Sequence, residues 1–209
     1  HGDCQRRGSF RRFDDQATAM TPKTALFLAL PLTALTLVGC GNIQTVKSFS
    51  TPYEQPTSGE RARIRVVADG MVRAVPQSDC EDWRLPGAGV MVSARKGFAD
   101  QNGRSLGMPG ADTVSTEGRV VSEFYVPAVK PLMLSYMSNG RSDGLKSEQC
   151  FVRKSFTPVA GQDYEASFQH SGPLCLTRVN RLQVKGATVS RDEAVPLADA
   201  KFCRASDNL

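Results

Sequence analysis

The chain has 209 residues, with 26 lysines and arginines against 21 aspartates and glutamates, and a formal net charge of +5. Residues 1–39 hold five of those basic and three of those acidic side chains, so residues 40–209 carry 21 against 18. So small an excess does not call for a polyanionic partner, and 170 residues make one domain, or one domain and a tether.

The sequence opens on His1, and Met20 offers a better start. Residues 1–19 contain Arg6, Arg7, Arg11 and Arg12, but Arg11-Arg12 leads into Phe13-Asp14 and lacks the Phe-Leu-Lys run of a twin-arginine signal. They are read as untranslated or as a mis-assigned start. Met20-Thr21-Pro22-Lys23 and the apolar run from Thr24 to Leu37 form the charged and apolar regions of an export signal, residues 20–39. The run is short of the roughly 20 residues that span a bilayer, and Pro31 interrupts it.

Leu37-Val38-Gly39-Cys40 resembles the lipobox of bacterial lipoproteins, with an apolar residue third before the cysteine and a small one directly before it. The resemblance implies cleavage ahead of Cys40, a diacylglyceryl thioether on its sulfur, and an acyl chain, typically palmitate, on the freed amine. Burying acyl chains contributes about 0.8 kcal/mol per CH₂, so two or three chains anchor firmly. Because Gly41 rather than Asp follows, the resemblance places the chain at the outer membrane, facing the periplasm. No cofactor besides this lipid is expected, and the compartment excludes nucleic acid as a partner.

Residues 40–59, with Pro52, Pro56 and many Ser and Thr, read as the lipidated cysteine and a flexible tether, spanning roughly 25 Å. From residue 60 to residue 209 the pattern predicts one all-β domain. Ala62, Ile64 and Val66 alternate with Arg61, Arg63 and Arg65, the period of a half-buried strand. Similar runs follow at 71–75, 89–94, 120–126, 132–137, 150–156, 164–169 and 174–184. Asp69-Gly70, Pro86-Gly87, Asn139-Gly140, Asp143-Gly144 and Gly172-Pro173 punctuate them. Short strands with such turns favour an antiparallel β-sandwich, immunoglobulin-like or related. Ser190-Arg191-Asp192-Glu193 is a capping-box pattern for one short helix, stopped by Pro196. Residues 97–118 form the longest stretch without a strand pattern, and a loop of that length is usually functional or disordered.

The segment from Phe156 through Pro158 and Gly161 to Tyr164 resembles the tyrosine corner of fibronectin-type and related sandwiches. The resemblance implies that the Tyr164 hydroxyl reaches back to a main-chain group. Val159 and Ala160, inserted between Pro158 and Gly161, depart from that pattern.

Beyond Cys4 and Cys40, four cysteines are left: Cys80, Cys150, Cys175 and Cys203. None forms a C-x-x-C pair, so zinc lacks its usual spacing, and an even set in an exported chain reads as two disulfides. Three connectivities are open; sequence proximity favours Cys80–Cys150 with Cys175–Cys203.

Catalytic inventories come up short. Ser138 lacks the leading Gly of G-x-S-x-G, His170 falls at strand spacing with Tyr164 and Ala166, and Glu81-Asp82 read as a solvated turn beside Cys80. The chain is therefore not expected to be an enzyme. Arg61, Arg63 and Arg65 are candidates for contact with lipid phosphate or glycan, set against a charged face that discourages edge pairing. Trp83 is a candidate binding aromatic, set against packing beside Cys80. Residues 40–209 resemble the proteobacterial lipoproteins that join a lipobox, a tether and a compact β-domain. The resemblance implies a non-enzymatic binding or assembly module for an envelope protein or glycan. A structural accessory subunit of an envelope or secretion machine comes second, and an envelope hydrolase last.

Overall fold

The structure, a computed structural model, describes residues 48–142, 144 and 146–204. Cys40, the export signal, the first residues of the expected tether and Asp143 of one expected turn lie outside the described residues.

The strands are β1 (Arg61–Ala68), β2 (Gly70–Pro76), β3 (Gly89–Ser93), β4 (Val120–Pro127), β5 (Leu132–Ser138) and β6 (Arg141–Ser142). They continue with β7 (Ser147–Glu148), β8 (Phe151–Phe156), β9 (Asp163–Ser171), β10 (Leu174–Lys185), β11 (Thr188–Ala194) and β12 (Ala198–Asp199). The front sheet has the order β11-β10-β9-β1-β4 and the back sheet β12-β8-β5-β2-β3; β6 and β7 form a small ribbon of their own. The sheets pack face to face as an all-β sandwich. Neighbouring strands run antiparallel except β1 and β9, which are parallel, with Ile64 opposite Tyr164.

Period 2 explains the core. From the front sheet Ala62, Ile64, Val66, Phe124, Val126, Tyr164, Ala166, Phe168 and Val179 point inward, and Val72, Ala74, Leu132, Leu134 and Tyr136 meet them from the back. Tyr136 stacks on Phe168 with ring centroids 5.4 Å apart, and Phe156 meets Tyr164 edge-on at 5.3 Å. Both pairs join the two sheets, each adding about 0.5–1.5 kcal/mol beyond its buried area. The Tyr164 hydroxyl accepts a hydrogen bond from the Val159 amide at 3.0 Å, so the corner closes despite the two inserted residues.

The chain changes sheets at Asp69-Gly70. One Asp69 carboxylate oxygen accepts from the Tyr136 hydroxyl and the other from the His170 amide at 2.9 Å, pinning the corner to both sheets. A Cβ on Gly70 would lie 2.8 Å from the Ser138 Cα and closer still to the Met137 carbonyl oxygen. Gly70→Ala is therefore expected to cost about 1–3 kcal/mol through overpacking. Urea denaturation checks this; a loss below about 0.5 kcal/mol would show that the crossing relaxes freely.

Three expectations are corrected. The tether reading fails over its described part. Thr51 and Tyr53 exchange main-chain hydrogen bonds with Val90 at 2.8 Å, the Gln55 side chain caps the Tyr125 amide at 2.7 Å, and Tyr53 is 2% exposed against Phe124. An aromatic side chain and an uncovered β3 edge outweigh the Pro/Ser composition. The expected helix at Ser190 is strand β11. Its residues pair with β10, Val189 opposite Val184, and Ser190 Oγ bonds the Asp192 carboxylate at 2.6 Å and accepts from the Asp192 amide at 3.3 Å within the strand. The favoured disulfide pairing is also wrong: the bonds are Cys80–Cys203 and Cys150–Cys175. Glu81 bridges the C-terminal segment through the Lys201 carbonyl at 2.7 Å, which brings Cys80 beside Cys203. Cys150, just ahead of β8 in the back sheet, faces Cys175 on β10 of the front sheet, so sheet topology overrides nearness in sequence.

Candidate binding surface

The arginine stripe on the outer face of β1 holds a loop. Arg65 is 0% exposed. Its guanidinium meets Glu123 at 2.8 Å and Glu165 at 3.1 Å, and donates to the Met108 and Pro109 carbonyls at 2.9 and 3.0 Å. The second Glu123 oxygen accepts from the Leu106 and Met108 amides at 2.5 and 3.1 Å. Burial alone would push the Glu123 carboxyl up, but those amides and Arg65 outweigh it and hold the group below its ordinary value. Arg191 adds a fork onto Glu165 at 2.7 and 3.2 Å and reaches the Gly110 carbonyl at 2.9 Å. Arg63 pairs bidentately with Asp163 at 2.7 Å, and that hydrogen-bonded pair raises its affinity for protons. Arg61 is exposed and lies over the Tyr125 ring at 4.6 Å. Residues 103–113, with a short 3₁₀ turn at Ala111–Thr113, thus cover the front sheet, while Gln101 and Asn102 bond β3 of the back sheet.

Trp83 takes part in a second cluster on the back sheet. The Arg73 guanidinium sits 4.0 Å from the Trp83 ring centre and 4.2 Å from that of Phe49, and donates to Ser48 Oγ at 2.8 Å. Trp83 Nε1 donates to Glu81 at 2.7 Å, and Arg153 pairs with the other Glu81 oxygen. Burial pushes Arg73 down to about 10, so it stays charged at neutral pH. Asp82 is forked by Arg84 at 2.7 and 2.8 Å, so neither carboxylate of the pair is a free turn residue. Ser138 Oγ accepts from the Cys150 amide at 2.9 Å. His170 is half-buried beside the Cys150–Cys175 bridge, where it shares a cavity of about 340 Å³ with both cysteines.

A third region was not legible from sequence. β11 pairs with β10 only over Asn180–Lys185, and the chain then leaves the front sheet to form β12 in the back one. The last closing contact is the Val195 amide on the Val179 carbonyl at 2.8 Å. Below it, residues 174–178 form an edge that, among the described residues, is paired on one side alone, to β9. Leu174 and Leu176 are 58% and 48% exposed there, and Phe151, next to the bridged Cys150, is 59% exposed. A cavity of about 310 Å³ adjoins this edge, lined among others by Arg119, Ser167, Gln169, Leu176 and Arg178. The signal for it lay in relative strand length, since the β10 pattern outruns the one that follows it.

Among the described residues no group of three or more His, Cys, Asp or Glu side chains could hold a metal ion, and no helix is long and apolar enough to cross a membrane. Comparison with protein-family models, with curated proteins and with solved structures gave no match.

Proposed function

We propose that this chain is a lipid-anchored envelope protein, acylated at Cys40 and facing the periplasm from the outer membrane, whose sandwich is a non-enzymatic binding or assembly module. The observation that carries the reading is the open lower edge of β10, with Leu174 and Leu176 exposed beside two arginines. Apolar groups left at a strand edge mark an interaction surface or an aggregation hazard. Pairing of all four downstream cysteines suits a chain that folds in an oxidising compartment, as the lipobox requires.

A structural accessory role in an envelope machine is the second reading, favoured by the same edge, because strand pairing is a way in which proteins take protein partners. The test is mass spectrometry of the full chain expressed in a bacterium with two membranes. The expected N-terminal peptide begins at Cys40, carries diacylglycerol and an N-acyl chain, and fractionates with the outer membrane, while Cys40→Ala releases the protein. An unacylated cytosolic chain with four free sulfhydryls would overturn the proposal. A single stoichiometric protein partner would favour the accessory subunit, and a glycan or lipid ligand the binder.

A further inference from the structure

We infer that the open edge of β10 receives an extended, acidic segment of a partner protein, which adds a strand to the front sheet along residues 174–178. This rests on the binding-module reading and names its ligand class.

The register fixes which main-chain groups are on offer. In the β9–β10 hairpin Leu174 faces Ser171, and the ladder continues through Leu176 opposite Gln169 to Arg178 opposite Ser167. Antiparallel ladders alternate, so residues bonded to the partner strand sit at every second position. Val179 turns its carbonyl away from β9, towards Val195. By the same alternation Cys175 and Thr177 direct both their amide and their carbonyl to the open side. An incoming strand meets two donors and two acceptors, continuing the direction that β11 occupies higher up.

Most of the other edges of the sandwich are protected, the start of β8 at Phe151–Val152 excepted. β4 is covered by main-chain bonds to Gly103 and Arg104 at 3.0 Å, and β3 by Thr51, Tyr53 and Gln101. β12 is two residues long, and β11 carries Arg191, Asp192 and Glu193 with a register irregularity against β10. Coverage, short length, charge and bulges are the devices by which sheets avoid unwanted pairing. Residues 174–177 have none of them: the edge there presents Leu174 and Leu176 to solvent.

The charge next to this edge identifies the partner. Arg63, Arg65, Arg84, Arg153, Arg181 and Arg191 each have a carboxylate partner. Arg119 and Arg178 appear in no ion pair among the described residues, and both line the cavity that Leu176 shares. Arg119 is half-buried. Thr177, whose backbone lies between Leu176 and Arg178 on that cavity, has a buried hydroxyl with no hydrogen-bond partner among the described residues. In strand addition the main chain supplies affinity and alternate side chains supply specificity. Here the alternate positions of an added strand adjoin Leu176 and the exposed Arg178, with Arg119 on the far side of β9 across the shared cavity, which fits a strand alternating carboxylate and aliphatic side chains.

The experiment is hydrogen–deuterium exchange on the full acylated chain in detergent micelles. The probes are an acetylated heptapeptide of alternating valine and glutamate, its lysine counterpart, and phosphatidylglycerol vesicles. The acidic peptide is expected to slow exchange across residues 174–179, and to bind at least about tenfold more tightly than the lysine peptide. Thr177→Pro, which removes an outward amide, is expected to abolish protection. The double variant Arg119→Glu with Arg178→Glu leaves the ladder intact and is expected to invert the preference towards lysine. Equal binding of both peptides to this double variant would overturn the inference, as would acidic-peptide protection elsewhere on the surface. Protection of 174–179 that grows with protein concentration and no peptide would instead assign the edge to a second copy. Vesicle binding lost in the double variant, with no peptide protection, would assign the arginines to a lipid headgroup. Each of these leaves the anchored-module reading standing, whereas an unacylated cytosolic chain removes that reading and leaves the exchange result to be judged alone.

Discussion

Arg65→Ala is expected to destabilise the sandwich by about 3–5 kcal/mol and to expose residues 103–113 to protease. Removing one partner of a buried pair leaves the other charge uncompensated, which costs far more than the pair contributes. Glu123 is 3% exposed and would keep only the Leu106 and Met108 amides. The Met108 and Pro109 carbonyls would lose the guanidinium that fastens them to β1. Glu123→Gln keeps an acceptor for those amides and leaves Arg65 its Glu165 contact, so its loss should be smaller, about 1.5–3 kcal/mol. Acid gives a second handle. The folded Glu123 carboxyl lies below its unfolded value, so its stabilisation is complete above a pH of about 4.3. It is lost as pH falls further, through the folded value. Urea unfolding from pH 7 down to pH 3 should show that loss in the native chain and a flatter slope in Glu123→Gln. A cost for Arg65→Ala below about 1 kcal/mol would mean that water reaches the site and screens it.

The fate of the Arg61, Arg63 and Arg65 stripe shows how far the sequence could be read. Alternation with Ala62, Ile64 and Val66 told which side chains point out of the sandwich, because period 2 is a local property. It could not tell that Arg65 is sealed. The cover comes from residues 106–110, distant in the chain and without periodicity, and the anions come from β4 and β9. Strand existence was likewise local, from the valine-rich runs and their glycine turns, and so was the Tyr164 corner. Pairing was not. Tyr53 sits in a Pro/Ser-rich segment whose composition hides an edge contact with Val90. Ser190 to Glu193 satisfies a helix start locally, yet pairing with β10 wins. The open part of β10 depends on where β11 stops and crosses sheets, a property of two strands together.

Breaking the Cys80–Cys203 bond should cost more than breaking Cys150–Cys175, and this ordering separates the observed connectivity from the one that sequence proximity favours. The first bond closes 123 residues and the second 25. Chain-entropy scaling gives about 5 kcal/mol for the longer loop and about 3.5 kcal/mol for the shorter. Native contacts widen the gap, because Cys203 holds down a C-terminal segment in which Phe202 lies under Arg153 at 4.5 Å. Releasing that segment also loosens Glu81, the anion that Arg153 and Trp83 share. The double variant Cys80→Ser with Cys203→Ser should therefore unfold at lower urea than Cys150→Ser with Cys175→Ser, and non-reducing peptide mapping of the parent should recover the two bonds directly. A Cys80–Cys150 peptide would contradict the assignment. The smaller effect has its own meaning for function. Cys150–Cys175 joins the two sheets at the margin where residues 174–178 are open. Without it the sandwich should still fold, while exchange across that margin rises, because β11 closes the edge only above Val179.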